Sequence, residues 1–402
     1  MQKYKLSDLL EIKNGRDHKA LPDGKYPVFG SGGVMRYVNE YLYDKPSVLL
    51  PRKGTLDNIQ YCDTPFWTVD TLYYTEVKSE LVNPYYLYRY LRLLDLSKLD
   101  TGTGVPSMTF DSYYGIKVTL PSVEEQNKIA HILQSLNKKI DINRQINDNL
   151  EAMAKQLYDY WFVQFDFPNE EGKPYKSSGG KMVWSDELQM NIPHNWVICR
   201  LNDYIDKNNT GDWGNDTPSN NSIEVGCIRG ADILKLNNLP RRYIKKNNIA
   251  KLLSDWDMVI EVSGGSPTQA TGRSALITPG TIKRNGGKIT CSNFCHAFSF
   301  KSYKYSAFFF FAWKMFYVND IMFNYEGKTS GIKNFMTETF LANKWVMPKQ
   351  ELVDRFFEQI RSIYSQIDAN IAENNHLTKQ RDELLPLLMN GQVLVNYHLS
   401  HD

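Results

Sequence analysis

The chain contains 402 residues, of which 42% are hydrophobic and 23% are charged, the balance of an ordinary globular protein. This composition excludes a disordered or collagen-like chain, and the length suggests roughly two or three domains. The longest apolar run, Ala307 to Trp313, is too short to cross a membrane, and the N-terminus lacks the apolar core of a signal peptide. Five cysteines, an odd number, argue against a disulfide framework, so we expect a protein of the reducing cytoplasm.

The charge is unevenly distributed along the chain. The formal net charge is +2, but residues 1–121 carry +1 and residues 196–348 carry +7, whereas the remaining segments together carry −6. A basic block beside acidic blocks is typical of a nucleic-acid face joined to a separate protein-contact scaffold. On charge alone, ordinary surface variation fits equally well.

An internal repeat becomes visible when the sequence is shifted by 227 residues. Eleven positions between residues 104 and 158 then match without a gap. Because the match spans the end of one globular segment and a long helical segment, it predicts a pseudo-two-fold architecture. The matching residues of the first copy are Gly104, Lys117, Pro121, Glu124, Ser135, Ile140, Asp141, Asn143, Asn147, Leu150 and Leu157.

Each copy contains a heptad pattern typical of paired helices. Seam positions at alternating steps of four and three run from Ile129 to Trp161, and again from Phe356 to Leu388. Polar residues in the middle of such a seam cost stability but fix the register of the pair. The predicted register residues are Asn143, Asn147, Asn370 and Asn374.

The predicted helix limits follow from prolines and a cap. Pro121 marks the start of the first helix, with Ser122 and Glu125 as a capping box, whereas the second helix starts after Pro348 and breaks at Pro386. Helices of about 38 residues would be roughly 55–60 Å long. A globular segment between them favours an antiparallel pair, although a hairpin used only for dimerisation remains the alternative.

The predicted fold class is α+β, with two globular domains and two long helices that form an antiparallel coiled coil. Short apolar runs such as Ser47 to Leu50 and Met258 to Val262 predict strands, and Pro84 to Leu94 and Ser306 to Val318 predict helices. The predicted segments are a first domain at 1–121, a long helix at 122–165, a linker at 166–195, a second domain at 196–348, and a second long helix with a tail at 349–402.

Several short motifs resemble catalytic or metal sites without completing them. FGSGG at 29–33 and NPYY at 83–86 resemble parts of an adenine methyltransferase, but Pro27 precedes the glycines and Tyr85 replaces the second proline. We therefore expect turn glycines and a helix-initiating proline. GKTS at 327–330 lacks the first glycine of a phosphate loop, so no ATPase is predicted, and we also expect no metal site.

Polar, glycine-containing loops at comparable places in the two domains are the candidate DNA-binding sites. Arginine and lysine suit phosphate or guanine, asparagine and glutamine suit adenine, and glycine lets the backbone approach the ligand. Most of these residues are expected to position the DNA through its phosphates. The candidates are Arg52, Lys53, Thr101, Thr103, Ser107, Arg241, Arg242, Gln269, Arg273, Lys328, Ser330, Lys333 and Asn334.

The most specific stretch of the sequence is WFVQFDFPNEEGKPYKSSGGKMVW at 161–184, followed by IPHNW at 192–196. It resembles the region that joins the two halves of the specificity subunit of type I restriction–modification systems, and the resemblance to this family covers essentially the whole chain. LPSVEEQNKIAHIL at 120–133 and ELLPLLMNGQV at 383–393 resemble the beginning of the family's first conserved helix and its C-terminal end.

The resemblance implies a DNA-recognition subunit without catalysis of its own. Each globular domain would read one half of a split, asymmetric site in double-stranded DNA, and the helices would set the spacer. Two modification subunits would dock on the helices and supply S-adenosylmethionine and the adenine-methylating site. Restriction subunits with ATP- and Mg-dependent translocation would complete the complex in the cytoplasm of a bacterial or archaeal cell.

The second copy departs from the family pattern, and two other functions remain open beside the one that the resemblance implies. The second copy lacks the Glu-Glu-Gln motif at the start of its helix, and Arg381 interrupts the seam where the first copy has Ala154. Arg381 would either disturb the pairing or face a modification subunit. The alternatives are a stand-alone adenine methyltransferase and a coiled-coil scaffold that does not bind DNA.

Overall fold

A computed structural model describes residues 1–99, 106–264, 266, 268–329 and 332–393. The chain divides into two compact units. Unit 1 comprises Met1–Ile140 and the chain from His376 onward, and unit 2 comprises Asp141–Asn375. Each long helix therefore contributes one part to each unit.

The N-terminal elements lead into the first long helix. In chain order they are β1 (Gln2–Lys5), α1 (Leu6–Leu9), β2 (Leu10–Lys13), β3 (Asp23–Gly30), β4 (Gly33–Val38), β5 (Ser47–Pro51), β6 (Gln60–Cys62), β7 (Trp67–Thr68), β8 (Leu72–Val77), α2 (Pro84–Leu91), α3 (Phe110–Tyr114), β9 (Lys117–Leu120) and α4 (Val123–Tyr158). A π-helical turn, Asp159–Val163, continues α4.

The remaining elements lead into the second long helix. They are β10 (Met182–Ser185), β11 (Met190–Pro193), β12 (Val197–Arg200), β13 (Ile205–Thr210), β14 (Ser222–Ile228), β15 (Arg241–Lys245), β16 (Met258–Glu261), β17 (Ser263–Gly264), β18 (Ser274–Leu276), α5 (Pro279–Arg284), β19 (Ile289–Cys291), β20 (Cys295–Phe300), α6 (Tyr305–Val318), β21 (Glu326–Thr329), β22 (Ile332–Phe335), α7 (Thr337–Leu341), β23 (Lys344–Met347) and α8 (Gln350–Met389).

The two units contain sheets with the same strand orders. Unit 1 has the orders β2-β8-β5-β6 and β4-β3-β7, and unit 2 has the orders β13-β20-β16-β18 and β15-β14-β19. In each unit the second sheet joins an antiparallel pair to a parallel pair, β3 with β7 and β14 with β19. The strand topology is therefore repeated even in the parts of the two units whose sequences do not match.

Each globular part is closed by its own first and last strands. β1 pairs with β9, with Gln2 opposite Leu120, and β12 pairs with β23, with Val197 opposite Met347. The last strand, the short helix before it and the start of the long helix are each separated from their counterparts by 227 positions. The repeat therefore holds most strictly at the base of each long helix.

The predicted helices agree with the structure, but one predicted helix end is wrong. The Ser122 hydroxyl accepts a hydrogen bond from the Glu125 amide at 3.3 Å and caps α4. α8 does not break at Pro386, because it continues to Met389. A proline so close to the helix end removes only one donor from the last turn, and the Asn390 amide still bonds to the Pro386 carbonyl at 3.0 Å.

The segment 166–195 is more ordered than the predicted linker and surface loop. β10 and β11 form a hairpin within it. The Asp166 carboxylate accepts hydrogen bonds from the Ser177 amide at 2.7 Å and from its hydroxyl at 2.6 Å. These bonds lower the pKa of Asp166 and fold the glycine-rich stretch back on the end of α4.

The cores explain why the aromatic helices form. α6 is apolar on nearly every side, and Phe309 and Trp313 are completely buried in unit 2. The Trp313 indole donates to the Gly272 carbonyl at 2.6 Å, so its polar atom is satisfied inside the core. In unit 1, α2 buries one face, and Tyr86 is fully buried there.

Candidate nucleic-acid interface

In unit 1, the loop after β5 is held against the segment before α3. Lys53 and Ser107 form an isolated antiparallel bridge. Beside it, the Met108 amide donates to the Arg52 carbonyl at 3.0 Å. The structure thus brings together three predicted DNA contacts, Arg52, Lys53 and Ser107, from two separate loops.

Unit 2 builds the same bridge at the equivalent place. β17 pairs with β22, with Ser263 opposite Asn334, and the Phe335 amide donates to the Val262 carbonyl at 2.7 Å. Asn334 and Phe335 correspond to Ser107 and Met108, which lie 227 positions earlier in the sequence. Ser263 therefore occupies the place that Lys53 has in unit 1.

The cations of the unit 1 bridge are not neutralised by neighbouring carboxylates. Lys53 is exposed, and among the described residues no acidic side chain forms an ion pair with it or with Arg52. The Arg52 guanidinium donates to the Asp70 carbonyl at 3.3 Å and lies 5.9 Å from the Tyr73 ring. Burial raises the pKa of Tyr73, whereas the positive charge of Arg52 opposes that rise. Both cations can meet an anionic ligand.

A tight turn lies against this bridge. β3 and β4 are connected through Ser31 and Gly32, and Gly54 has a φ of +92° next to this turn. A Cβ atom on Gly54 would lie 3.5 Å from the Ser31 hydroxyl. The Asn58 side chain donates to the Ser31 carbonyl at 2.6 Å, so the turn is held in place. The glycines of FGSGG were predicted only as turn formers, whereas Gly54 lies in one of the predicted DNA-binding loops.

Arg241 and Arg242, two of the predicted DNA contacts, are both paired with carboxylates. Arg242 is 6% exposed, its guanidinium lies 4.1 Å from the Trp213 ring, and it is paired with Asp216. Arg241 is paired with Glu224 at 3.0 Å. Both side chains are engaged within the sheet that contains β15, Arg242 as a buried guanidinium and Arg241 as a neutralised one.

Arg273 and Lys333 are also bound to internal carboxylates. Arg273 forms a two-point contact with Glu261, with both distances 2.7 Å, and this hydrogen bonding raises the pKa of Arg273. Lys333 lies 3.0 Å from Glu326, whose side chain is 6% exposed. Separating such pairs would leave a buried charge, so neither cation is available for a phosphate without a large cost.

Gln269 and Asn334 remain as polar candidates in unit 2. Gln269 is exposed, and its carbonyl accepts from Lys333 at 3.5 Å. Asn334 accepts a hydrogen bond from the Ser263 hydroxyl at 2.6 Å. Its amide therefore has one fixed partner within the bridge, and this contact orients it.

The remaining candidates cannot be placed by side-chain geometry. Lys328 lies in β21, and the structure describes its backbone but not its side chain. The candidates outside the described residues are Thr101, Thr103 and Ser330.

The methyltransferase-like strings have structural roles. FGSGG at 29–33 spans the β3–β4 turn. Asn83 caps α2, because its side chain accepts from the Tyr86 amide at 2.9 Å, and Pro84 follows at the first helical position. These observations agree with the expected turn glycines and helix-initiating proline.

The cysteines near β20 are core residues. Cys291 and Cys295 are buried, and burial raises the pKa of Cys295 to about 12. A thiol with that pKa stays protonated at neutral pH and is a poor ligand or nucleophile. No cluster of three potential metal ligands occurs among the described residues.

Buried amides connect α4 and α8 within unit 2. The Asn143 side chain donates to Asn374 at 3.0 Å and to Glu373 at 2.6 Å. The Asn370 side chain donates to Asn147 at 2.7 Å. Because the residue number falls along α8 as it rises along α4, the two helices run antiparallel at these contacts.

Arg381 makes a defined contact within unit 1. Its guanidinium donates to the Asn137 side chain at 3.0 Å, and Asn137 in turn donates to the Tyr85 hydroxyl at 2.7 Å. A polar chain thus joins α8, α4 and α2. Arg381 therefore connects α8 to α4 by a hydrogen bond at a seam position where an apolar residue is expected.

The known proteins to which this chain is similar are type I restriction enzyme specificity subunits. A family model described as the type I restriction modification DNA specificity domain matches residues 1–152. The MjaIX type I restriction enzyme specificity subunit of Methanocaldococcus jannaschii is 23% identical over 374 residues, which cover 88% of this chain and 79% of that protein. The HindI specificity subunit of Haemophilus influenzae is 23% identical over 389 residues, covering 79% of each chain.

A solved structure shares the fold. The crystal structure of a type I restriction-modification S subunit from M. genitalium has a TM-score of 0.59 and 15% identity, covering 99% of this chain and 96% of that chain. The match to the DNA specificity domain model covers the first 152 residues, and the solved structure is similar along nearly the whole chain. Over most of its length, the chain is related to type I restriction enzyme specificity subunits. In the described residues, no helix is long and apolar enough to span a membrane.

Proposed function

We propose that this chain is the DNA sequence-specificity subunit of a type I restriction–modification complex. The observation that carries the proposal is the duplicated bridge, Lys53 with Ser107 and Ser263 with Asn334, each followed after about fifteen residues by a long helix. The extended similarity to curated specificity subunits supports the same function.

Each bridge marks the surface of a target recognition domain that reads one half of a split DNA site. The two bridges differ in chemistry, because Lys53 in unit 1 corresponds to Ser263 in unit 2. Cations suit phosphate and guanine, whereas hydroxyl and amide groups suit orientation and adenine contacts. The two half-sites are therefore expected to differ, and the complete site is asymmetric.

The long helices form an antiparallel coiled coil that sets the spacer between the half-sites. The buried amide contacts of Asn143 and Asn370 support this role, because they fix the register of the helices. The proposed segments keep the limits expected from the sequence. These are recognition domains at 1–121 and 196–348, conserved helices at 122–165 and 349–402, and a connecting region at 166–195.

Catalysis belongs to the partners in this proposal. Two modification subunits dock on the helices and bring S-adenosylmethionine, and restriction subunits bring the site for ATP and Mg. The chain contributes recognition only, within the cytoplasm of a bacterial or archaeal cell, the groups from which the related subunits come. A stand-alone methyltransferase is not favoured, because its apparent motifs form a turn and a helix cap.

A methylome measurement tests this function directly. The chain is co-expressed with its genomic modification partner in a methylation-free host, and adenine methylation is mapped by single-molecule sequencing. We expect one new split motif with methyladenine in both halves. The modification subunit expressed alone is the control and should give no such motif. A soluble complex that leaves the genome unmethylated would contradict the proposal and favour a scaffold.

A further inference from the structure

We propose that the tip of the β3–β4 hairpin, Ser31–Met35, enters the major groove at one half-site and reads thymine methyl groups through Val34 and Met35. This inference rests on the proposed function and identifies the reading element within unit 1. Lys53 and Arg52 would hold the neighbouring phosphates.

The tip carries apolar side chains that the protein itself does not cover. Val34 is 48% exposed, Met35 is 61% exposed, and Tyr37 on the same strand is 54% exposed. The pairing of β3 with β4 shifts register here, with Val28 opposite Arg36 and Phe29 opposite Val34, so Met35 lies at a bulge of the ribbon. A concentration of exposed apolar side chains on a small element is a mark of a binding surface.

The exposed tip is nevertheless held rigidly. The side chains of Asn58 and Gln60 donate to the Ser31 and Gly30 carbonyls at 2.6 and 2.9 Å. Gly30 also makes room for Met35, because a Cβ atom on Gly30 would lie 2.6 Å from the Met35 sulfur. A preorganised element loses little conformational entropy on binding and can discriminate between similar ligands.

The surroundings of the tip match a DNA duplex. Ser31 lies beside Gly54, the residue after the exposed Lys53, so a cationic side chain that has no ion pair among the described residues is attached next to the turn. The major groove, about 12 Å wide, admits a two-stranded ribbon, and thymine presents its methyl group there. Apolar side chains next to a cationic loop suit this polyanion better than an apolar protein surface.

Unit 2 has an exposed apolar side chain at the same place in its topology. The connection between β14 and β15, which corresponds to the β3–β4 turn, contains Leu234 with 70% exposure. The start of this connection also lies against the bridge region, because a Cβ atom on Gly230 would lie 2.5 Å from a Glu261 oxygen. Both units therefore have an exposed apolar side chain in, or directly after, the connection that passes beside the bridge.

The test compares matched surface substitutions in the assembled complex with the modification subunit. The variants are Met35→Gln, Val34→Thr and Leu234→Gln, and the control is Met190→Gln, since Met190 is a 38% exposed methionine in the β10–β11 hairpin. All are exposed, so the fold should tolerate them. The motif and the methylated fraction at each site are read by single-molecule sequencing, and complex assembly is read by gel filtration.

We expect Met35→Gln and Val34→Thr to relax selection at a T·A pair in one half-site by about tenfold, the usual effect of one lost base contact. Leu234→Gln should relax the opposite half, and the control should change neither. An unchanged motif, or loss of the modification subunit from the complex without a change in motif, would overturn the inference. Failure of the wild-type complex to give any split motif would instead reject the proposed function.

Discussion

Lys53 and Ser263 occupy equivalent places in two copies of one strand bridge, although one is a cation and the other a small hydroxyl. The backbone around them repeats closely, including the hydrogen bond beside each bridge. Conserved backbone with divergent side chains is the arrangement expected when the same frame serves two different half-sites.

Replacing Lys53 with glutamine should weaken DNA binding by the complex with little effect on sequence preference. Loss of one phosphate contact should reduce the slope of log affinity against log salt by about 1. Binding is measured on the split-site duplex across a salt series. Lys45→Gln is the control, because this exposed lysine precedes β5 and Lys53 follows it. Equal salt slopes for wild type and Lys53→Gln would contradict a phosphate contact.

Replacing Asn370 with alanine should destabilise the helix pair. Asn370 is 6% exposed and donates to Asn147 at 2.7 Å, so its loss leaves a half-buried amide without its partner and costs about 1–3 kcal/mol. Urea unfolding measures the change. The exposed Asn149→Ala is the control.

The pair of changes Asn147→Leu and Asn370→Leu should recover the stability lost in the alanine variant. Two apolar residues can replace two hydrogen-bonded amides in a helix seam, but they specify the register less strictly. We therefore expect methylation at more than one spacer length. A single spacer length with the double leucine variant would mean that other contacts set the register.

The Glu326–Lys333 pair should make unit 2 sensitive to acid. Burial raises the pKa of Glu326, but the Thr271 amide and Lys333 outweigh it, and the pKa lies below its ordinary value of 4.5. A lowered pKa in the folded state contributes stability above the unfolded value, and this stability is lost as the pH falls through the folded value. Wild type should therefore exceed Glu326→Gln in stability at pH 7, and the difference should shrink below about pH 4.5. A difference independent of pH would contradict the ion pair.

Replacing Asn83 with alanine should reduce stability without abolishing methylation. Its side chain caps α2, and a lost cap costs about 1 kcal/mol. Thermal unfolding of the chain and methylation by the complex are measured together. If Asn83 were the asparagine of a methyltransferase site, methylation would disappear while stability stayed nearly constant.

The helices were predictable because their signals are local. The heptad seam, Pro121 and Ser122 together located α4, and the shift of 227 located α8. The predicted break at Pro386 was wrong because a proline can be tolerated in the last turn of a helix. There, the missing backbone N–H of the proline removes only one hydrogen bond, and few residues follow it in the helix.

The basic candidates were less predictable because their partners are distant in sequence. The sequence around Arg242 does not predict its contacts with Trp213 and Asp216. Likewise, the sequence around Arg273 does not predict its ion pair with Glu261. In contrast, the bridge between Lys53 and Ser107 had a visible signal, since both lie in glycine-containing loops near a repeated segment.

The pairing of first and last strands has a consequence for inheritance. Because β1 pairs with β9 and β12 pairs with β23, the first and last strands of each globular part lie together next to the N-terminal end of a long helix. A gene segment encoding such a part could be exchanged for another between these two points, and the helix beyond it would keep its sequence and its contacts. New specificities could then arise by recombination of intact cassettes, faster than by gradual change of single bases.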